Sequence, residues 1–255
     1  MDLGTPRLFR WDDLPKEAVT AQLGRKIITG EHVMAAHVWL EKGTVVPLHS
    51  HEAEQLSFTF SGALKFIIGG ETIVVGPGQL LVIPSKVPHE AVALEDTYEM
   101  DVFSPIRHDW LARTDSYFNA PPTQPAGYEK AATGANPATL YRWADVTTER
   151  ITDGIERIFA TGERATLADL RLAKGVVVPT HQHPAEQLTW VRSGHLRLEV
   201  GSETFEVPAG SVLRIPAMVP HQATAVEDTV VTDMFSPRRD DWLEKNDAYL
   251  RQGKR

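Results

Sequence analysis

Eight residues of this chain fall into two matching sets whose types suit a divalent metal ion: His49, His51, Gln55 and His89, then His181, His183, Gln187 and His221. Each member lies 132 residues from its counterpart, as from His49 to His181. A His-x-His pair on an extended strand puts both rings on one face, because side chains alternate along a strand. Three imidazoles with one side-chain carbonyl form a donor set for a divalent transition metal, with Fe, Ni, Co, Zn and Mn all admissible.

The register that relates the ligands extends to the elements around them. Leu8-Phe9-Arg10-Trp11 returns as Leu140-Tyr141-Arg142-Trp143, and Val87-Pro88-His89 as Val219-Pro220-His221. Asp101-x-Phe103-Ser104-Pro105-x-Arg107-x-Asp109-Trp110-Leu111 returns as Asp233-x-Phe235-Ser236-Pro237-x-Arg239-x-Asp241-Trp242-Leu243. A period of this length means two copies of one domain, since solenoid repeats run only about 20–50 residues. The division falls near residue 130, giving domains 1–125 and 130–255. The segment 119–137, rich in Pro, Gly, Ala and Thr, reads as an exposed linker.

Within each copy, short apolar runs with β-branched and aromatic residues are punctuated by Gly and Pro, the pattern of an all-β barrel or sandwich. The first copy predicts strands at Val33–Leu40, Leu56–Phe60, Leu64–Ile68, Thr72–Val75 and Leu80–Ile83, with a tight hairpin at Gly69-Gly70 matched by Gly201-Ser202. One short helix is expected at the end of each copy, about Asp109–Tyr117 and Asp241–Leu250.

Composition narrows the partners. The chain has 255 residues, enough for two cores, and a hydrophobic content of 42% that is ordinary for a globular protein. A net charge of −8 and the absence of any basic run argue against nucleic acid. No apolar stretch of about 18 residues offers a membrane span, and no basic-then-apolar leader opens the sequence, so the expected compartment is the cytoplasm. With no cysteine, disulfides and thiolate ligands are excluded.

Gly43-x5-His49-x-His51-x3-Gln55-x6-Gly62 and Gly78-x5-Pro84-x4-His89 resemble the two motifs of the cupin superfamily, and Gly175 to Gly194 with Gly210 to His221 repeat the resemblance. The resemblance implies a double cupin, or bicupin: two tandem jelly-roll-like β-barrels, each with a short C-terminal helix. Gln55 and Gln187 stand where the common pattern has Glu, and Lys86 and Met218 stand near its missing glycine. A neutral carboxamide leaves the metal's charge uncompensated, which strengthens it as a Lewis acid toward an anionic ligand. A three-His, one-Gln set is similar to that of the pectin-degradation cupin that linearises uronates and of the bicupin isomerase of bacilysin biosynthesis. The tail Asp-x-Phe-Ser-Pro-x-Arg resembles the uronate cupin, whose matching residues line its pocket. This implies pocket roles for Asp101, Phe103, Arg107, Asp233, Phe235 and Arg239.

Alternation supports part of this, since Asp101 and Phe103 share one strand face. Asp101 and Asp233 are candidate proton carriers, and Arg107 and Arg239 candidate holders of a substrate carboxylate by a bidentate contact. The competing reading is that each Asp and Arg form a structural ion pair. Glu54 and Glu186 point away from the ligand face and are given a structural role. His32, His37, His108 and His195 occur in one copy only and read as surface or core groups, except that the strand of His37 precedes the first motif and could bring it to line the pocket. Ser57 and Thr59 on the face of Gln55 become Thr189 and Val191, so the surroundings of the two metals differ.

The chemistry expected is metal-assisted proton transfer on a small, anionic, carboxylate-bearing molecule, as an isomerase, tautomerase or ring-opening enzyme. The alternatives are an Fe-dependent dioxygenase, distinguished by oxygen uptake, and a non-catalytic small-molecule-binding cupin, distinguished by binding without turnover. Edge pairing within one chain is expected to leave a monomer or a homodimer.

Overall fold

A computed structural model of the chain describes residues 4–119 and 138–250, and these form two compact units. One comprises Lys16–Ile27 and the described residues of Met34–Asp145; the other takes the described residues up to Pro15, Ile28–Val33 and those from Val146 onward. The predicted linker, beyond its first residue, lies outside the described residues.

In the unit that carries the first candidate ligand set, a seven-stranded antiparallel sheet runs in the order Thr139–Arg142, Gln79–Ile83, Glu54–Ser61, Thr97–Ser104, Met34–Leu40, Leu23–Thr29, Glu17–Ala18. A four-stranded sheet runs Val45–His49, His89–Ala93, Leu64–Ile68, Glu71–Val75. The five strands predicted from sequence are all present with ends within two residues. Alternation decides what each face does. Leu64, Phe66 and Ile68 are buried between the sheets while Lys65 and Ile67 are only partly covered, and they meet Met34, Ala36, Val38, Leu81, Ile83 and Phe103 from the larger sheet in one core. Gly69 and Gly70 join two strands with φ of +60° and +82°, the double left-handed turn a two-residue hairpin requires.

The other unit repeats the plan. Its seven-stranded sheet runs Arg7–Arg10, Ser211–Ile215, Glu186–Ser193, Thr229–Ser236, Thr166–Leu172, Ile155–Thr161, Glu149–Thr152, and its four-stranded sheet Val177–His181, His221–Ala225, His195–Val200, Glu203–Pro208. The two sheets of each unit are separate hydrogen-bonded sets, so the jelly roll is a sandwich open along its sides and not a closed barrel.

Two features depart from the sequence expectation. The strand Arg7–Arg10 pairs with Ser211–Ile215, Arg7 opposite Arg214, and so completes the larger sheet of the unit with the second candidate ligand set; Thr139–Arg142 likewise pairs with Gln79–Ile83 in the first. The buried Trp that follows each strand seals it, Trp11 lying edge-on to Trp190 and Trp143 edge-on to Phe58. The terminal helices are also shorter than predicted. They span His108–Ala112 and Asp240–Leu243, because Arg113 at φ +55° and Lys245 at φ +59° turn the chain into the left-handed region. A 3-10 turn, Ser116–Asn119, follows the first helix.

Candidate metal centres

The hydrogen-bond register of the smaller sheet sets His89 directly opposite His49, and His221 opposite His181. Gln55 enters from the larger sheet, opposite Ile83 on one side and Phe103 on the other, and Gln187 does the same opposite Ile215 and Phe235. His51 and His183 sit in the loops between the two sheets. Each loop is held by a turn whose backbone N–H, from Lys86 or Met218, donates to the His51 or His183 carbonyl at 2.8 or 2.9 Å. These two residues occupy the glycine position of the motif and keep its geometry, with φ of +63° and +60°. Holding a side-chain-bearing residue there costs about 1–2 kcal/mol.

The resulting clusters bring three histidine ring nitrogens within 4.8 Å of one another in each unit. Every Nδ1 is already bonded at 2.8 Å to a backbone carbonyl: Pro47, Ala53 and Val87 for His49, His51 and His89, and Pro179, Ala185 and Val219 for His181, His183 and His221. That contact puts the proton on Nδ1 and leaves Nε2 as a lone pair facing its neighbours, the arrangement of metal-ligating histidines. The buried Nε2 atoms of His89 and His221 have no hydrogen-bond partner. Gln55 Oε1 stands 3.1 Å from His51 Nε2, and Gln187 Oε1 3.1 Å from His183 Nε2. With Nδ1 carrying the proton, each of these contacts sets two acceptors face to face, which a cation between them would relieve. The donor sets therefore fit a divalent transition metal at each of two sites.

The electrostatics agree. Burial is the main cause that lowers the histidine pKa values, to about 2 for His49, 3 for His51 and 4 for His89, and to about 3 for His181 and 2 for His183, with His221 lowered as well. Neutral rings are what a metal needs, since protonated imidazole has no lone pair to give.

Around the first cluster, Gln55 Nε2 donates to Ser57 Oγ at 2.9 Å and to Asp101 Oδ1 at 3.0 Å, and Ser57 donates to the same carboxylate oxygen. In the second, Gln187 Nε2 donates to Thr189 Oγ1 at 2.7 Å, with Asp233 opposite Thr189 in the sheet. Burial raises both carboxyls to about 6, and their hydrogen bonds hold them from going higher. Phe103 and Phe235 pack edge-on against His51 and His183. The predicted arginines are buried beside the cavities but their forks are occupied: Arg107 Nε and Nη2 bond Asp109 at 2.9 and 2.6 Å, and Arg239 bonds Asp241 at 2.9 and 2.7 Å. The ion pairs are thus with Asp109 and Asp241, two residues along, and Asp101 and Asp233 are left to the glutamines. Arg107 Nη1 has no hydrogen-bond partner.

Sequence reasoning missed the residues that roof the sites. Tyr117 stacks on His49 at 4.2 Å and Tyr249 on His181 at 4.2 Å. Tyr117 Oη accepts from Trp110 Nε1 at 3.1 Å and Arg107 Nη2 at 3.3 Å, and Tyr249 repeats both contacts. The roof is tied down by a buried arginine: Arg25 bonds Asp115 at 2.7 Å and Glu17 at 3.1 Å, and Arg157 bonds Asp247 at 2.8 Å and Glu149 at 2.5 Å. The signal that could have found them is the repeat itself, since Asp115-x-Tyr117 and Asp247-x-Tyr249 share the 132-residue offset. Beneath these roofs lie cavities of about 40 and 50 Å³.

Other predicted groups fall outside the sites. His37 lies opposite Met100, on the sheet face away from Asp101, where the Tyr98 hydroxyl bonds its Nδ1 at 2.9 Å. Glu186 accepts the backbone N–H groups of Glu31, His32 and Val33 and the Nε of Arg214, a purely structural assignment. Glu54 is fully buried.

A family model for the cupin domain matches residues 36–104 and 168–235, together more than half of the chain. The chain belongs to the cupin family. With one cupin domain in each copy of the repeat, it is a bicupin. No curated protein matches its sequence. Among solved structures, this bicupin is similar to an oxalate decarboxylase described for its substrate binding mode and a reaction-specificity switch, at 19% identity and a TM-score of 0.69, over 91% of this chain and 77% of that one. A Bacillus subtilis oxalate decarboxylase described for its Mn(II) centres aligns at 19% identity and a TM-score of 0.70, over 97% of this chain and 84% of that one. At such identity the likeness establishes the shared fold. No helix among the described residues is long and apolar enough to cross a membrane.

Proposed function

We propose that this bicupin is a metal-dependent enzyme that moves a proton on a small carboxylate-bearing substrate, as an isomerase, tautomerase or ring-opening enzyme. The observation that carries the reading is the placement of Asp101 and Asp233: each is buried in a metal-site cavity and is left out of the neighbouring arginine's ion pair. A divalent ion held by the three histidine Nε2 atoms and the glutamine Oε1 would supply a Lewis acid that polarises a substrate carbonyl. Asp101 and Asp233 then take and return the proton of the adjacent carbon. Arg107 offers its one unpartnered Nη1 to the substrate carboxylate, a single contact in place of the bidentate hold. The Phe103 and Tyr117 rings, against His51 and His49, keep water from the reacting face.

Cavity size bears on the substrate. A volume of about 40–50 Å³ accommodates roughly three or four water molecules at the ~10–15 Å³ each requires. That suits a small keto acid, whereas a uronate enters only if the Tyr117 roof swings away. The same observation favours a second reading, a lyase acting on a small carboxylate, in keeping with the oxalate decarboxylases that share the fold.

Exchange of the methyl protons of pyruvate in deuterated buffer, followed by proton NMR with the manganese-loaded protein, tests the first reading. Exchange above background that falls at least about a hundredfold in an Asp101→Asn, Asp233→Asn double variant is the expected result. No exchange, with carbon dioxide released from oxalate, favours the lyase. Oxygen uptake by the iron-loaded protein with neither of these favours a dioxygenase.

A further inference from the structure

The two pockets carry opposite chemistry on one neighbouring strand pair. In the first unit Glu99 lies opposite Thr59, two residues before Asp101 and on its face of the sheet. Glu99 lines the first cavity and Val231 the second. In the second unit the corresponding pair is Val231 opposite Val191. Both polar residues are enclosed, Thr59 at 0% and Glu99 at 5% exposure, and neither Thr59 Oγ1 nor Glu99 Oε2 has a hydrogen-bond partner. Leaving two such groups buried and unsatisfied destabilises a fold, and the second copy shows that the same fold is built with valine at both positions.

We infer that Thr59 and Glu99 form a hydrogen-bonding subsite that makes the first pocket select a small acid bearing a hydroxyl group, while Val191 and Val231 make the second select its methyl counterpart. The inference rests on the reading of both pockets as metal sites for small carboxylates. Glu99 is well suited to the part. Burial and the neighbouring Asp101 push its carboxyl well above the usual range, so it retains both a donor and an acceptor for a ligand hydroxyl. A site built to bond a hydroxyl rejects the analogue without one strongly, because its own polar groups are then left unpaired.

The test uses the full chain loaded with manganese, with one triad disabled at a time, and calorimetric titration with pyruvate and hydroxypyruvate, which differ by one hydroxyl. With His181→Ala, where the first triad alone is intact, hydroxypyruvate should bind at least about tenfold tighter than pyruvate. With His49→Ala the order should reverse. Adding Thr59→Val and Glu99→Val to the His181→Ala protein should give it the preference of the second pocket, with no fall in melting temperature. Equal preference in both halves, or a first-pocket preference that survives the valines, would overturn the subsite; so would a lower melting temperature, which would mark the pair as structural. Discrimination without methyl-proton exchange sinks the catalytic reading and leaves the subsite standing. Binding of neither acid by either half overturns both.

Discussion

Gln55 faces two ways: its Oε1 lies 3.1 Å from His51 Nε2, and its Nε2 donates to Asp101 Oδ1 at 3.0 Å. A carboxamide can present a lone pair to a metal and a proton to a carboxylate at the same time, which an ionised carboxylate ligand cannot. A glutamate at this position would set one carboxylate against another across that 3.0 Å contact. The departure from the common cupin pattern is therefore matched to Asp101, and Gln187 stands likewise beside Asp233.

Gln55→Glu is accordingly expected to keep the metal but to raise the Asp101 pKa further, by like-charge repulsion. Turnover at neutral pH in the first half should fall at least about tenfold, measured in a His181→Ala background with metal content determined in parallel. Unchanged turnover would separate Asp101 from the chemistry.

Metal stoichiometry should resolve by unit. Elemental analysis of the purified protein should give two equivalents per chain, falling to one in His49→Ala and to one in His181→Ala, because the two triads belong to separate units and share no ligand. One equivalent lost in only one of the variants would confine the metal chemistry to that unit.

Tyr117→Phe keeps the ring over His49 but removes the oxygen that accepts from Trp110 Nε1 and Arg107 Nη2. The variant should lose about 1–3 kcal/mol of stability in chemical denaturation while holding its full metal complement. Loss of metal without loss of stability would show that the hydroxyl orients the ligands and does not serve the roof.

Acid should begin to destabilise the metal-free protein as the pH falls below about 6.5. The six ligand histidines have folded pKa values lowered from 6.5, five of them to between about 2 and 4. The unfolded chain thus binds protons that the folded one refuses. Their stabilising effect is complete above pH ~6.5 and is lost as the pH falls toward those folded values. Asp101 and Asp233 act in the opposite sense, since their raised pKa values of about 6 favour the folded state most at low pH and lose that contribution as pH rises through 6. Glu99, also raised, acts with the two aspartates, and His37, lowered by burial to about 3, acts with the six ligand histidines; seven histidines outweigh three carboxyls, so the melting temperature should decline from pH 6.5 to pH 4. A flat or rising profile would show that the rings are not buried as neutral bases.

Much of the site was legible because its residues are local or periodic. His49, His51 and Gln55 lie within one strand–loop–strand segment, and alternation along Thr97–Ser104 aligned Asp101 with Phe103. The opposite orientation of His37 follows from the same parity, since it pairs with Met100 and not with Asp101. The helix ends were harder to read, because nothing in the residue types of Arg113 or Lys245 announces a left-handed φ.

The sequence by itself determined the duplication, the β-rich cupin units, the two donor sets and the carboxylate beside each of them, because each follows from residue type, strand parity or a fixed offset. Tertiary structure alone decided which sheet each edge strand joins. Leu8-Phe9-Arg10-Trp11 and Leu140-Tyr141-Arg142-Trp143 are near copies with equal local preference, and only pairing across some two hundred residues, Arg7 opposite Arg214, selects between the sheets. It also decided that Arg107 bonds Asp109 and that Tyr117 covers His49, since a side chain's partner depends on which donors and acceptors the folded backbone brings within about 3 Å.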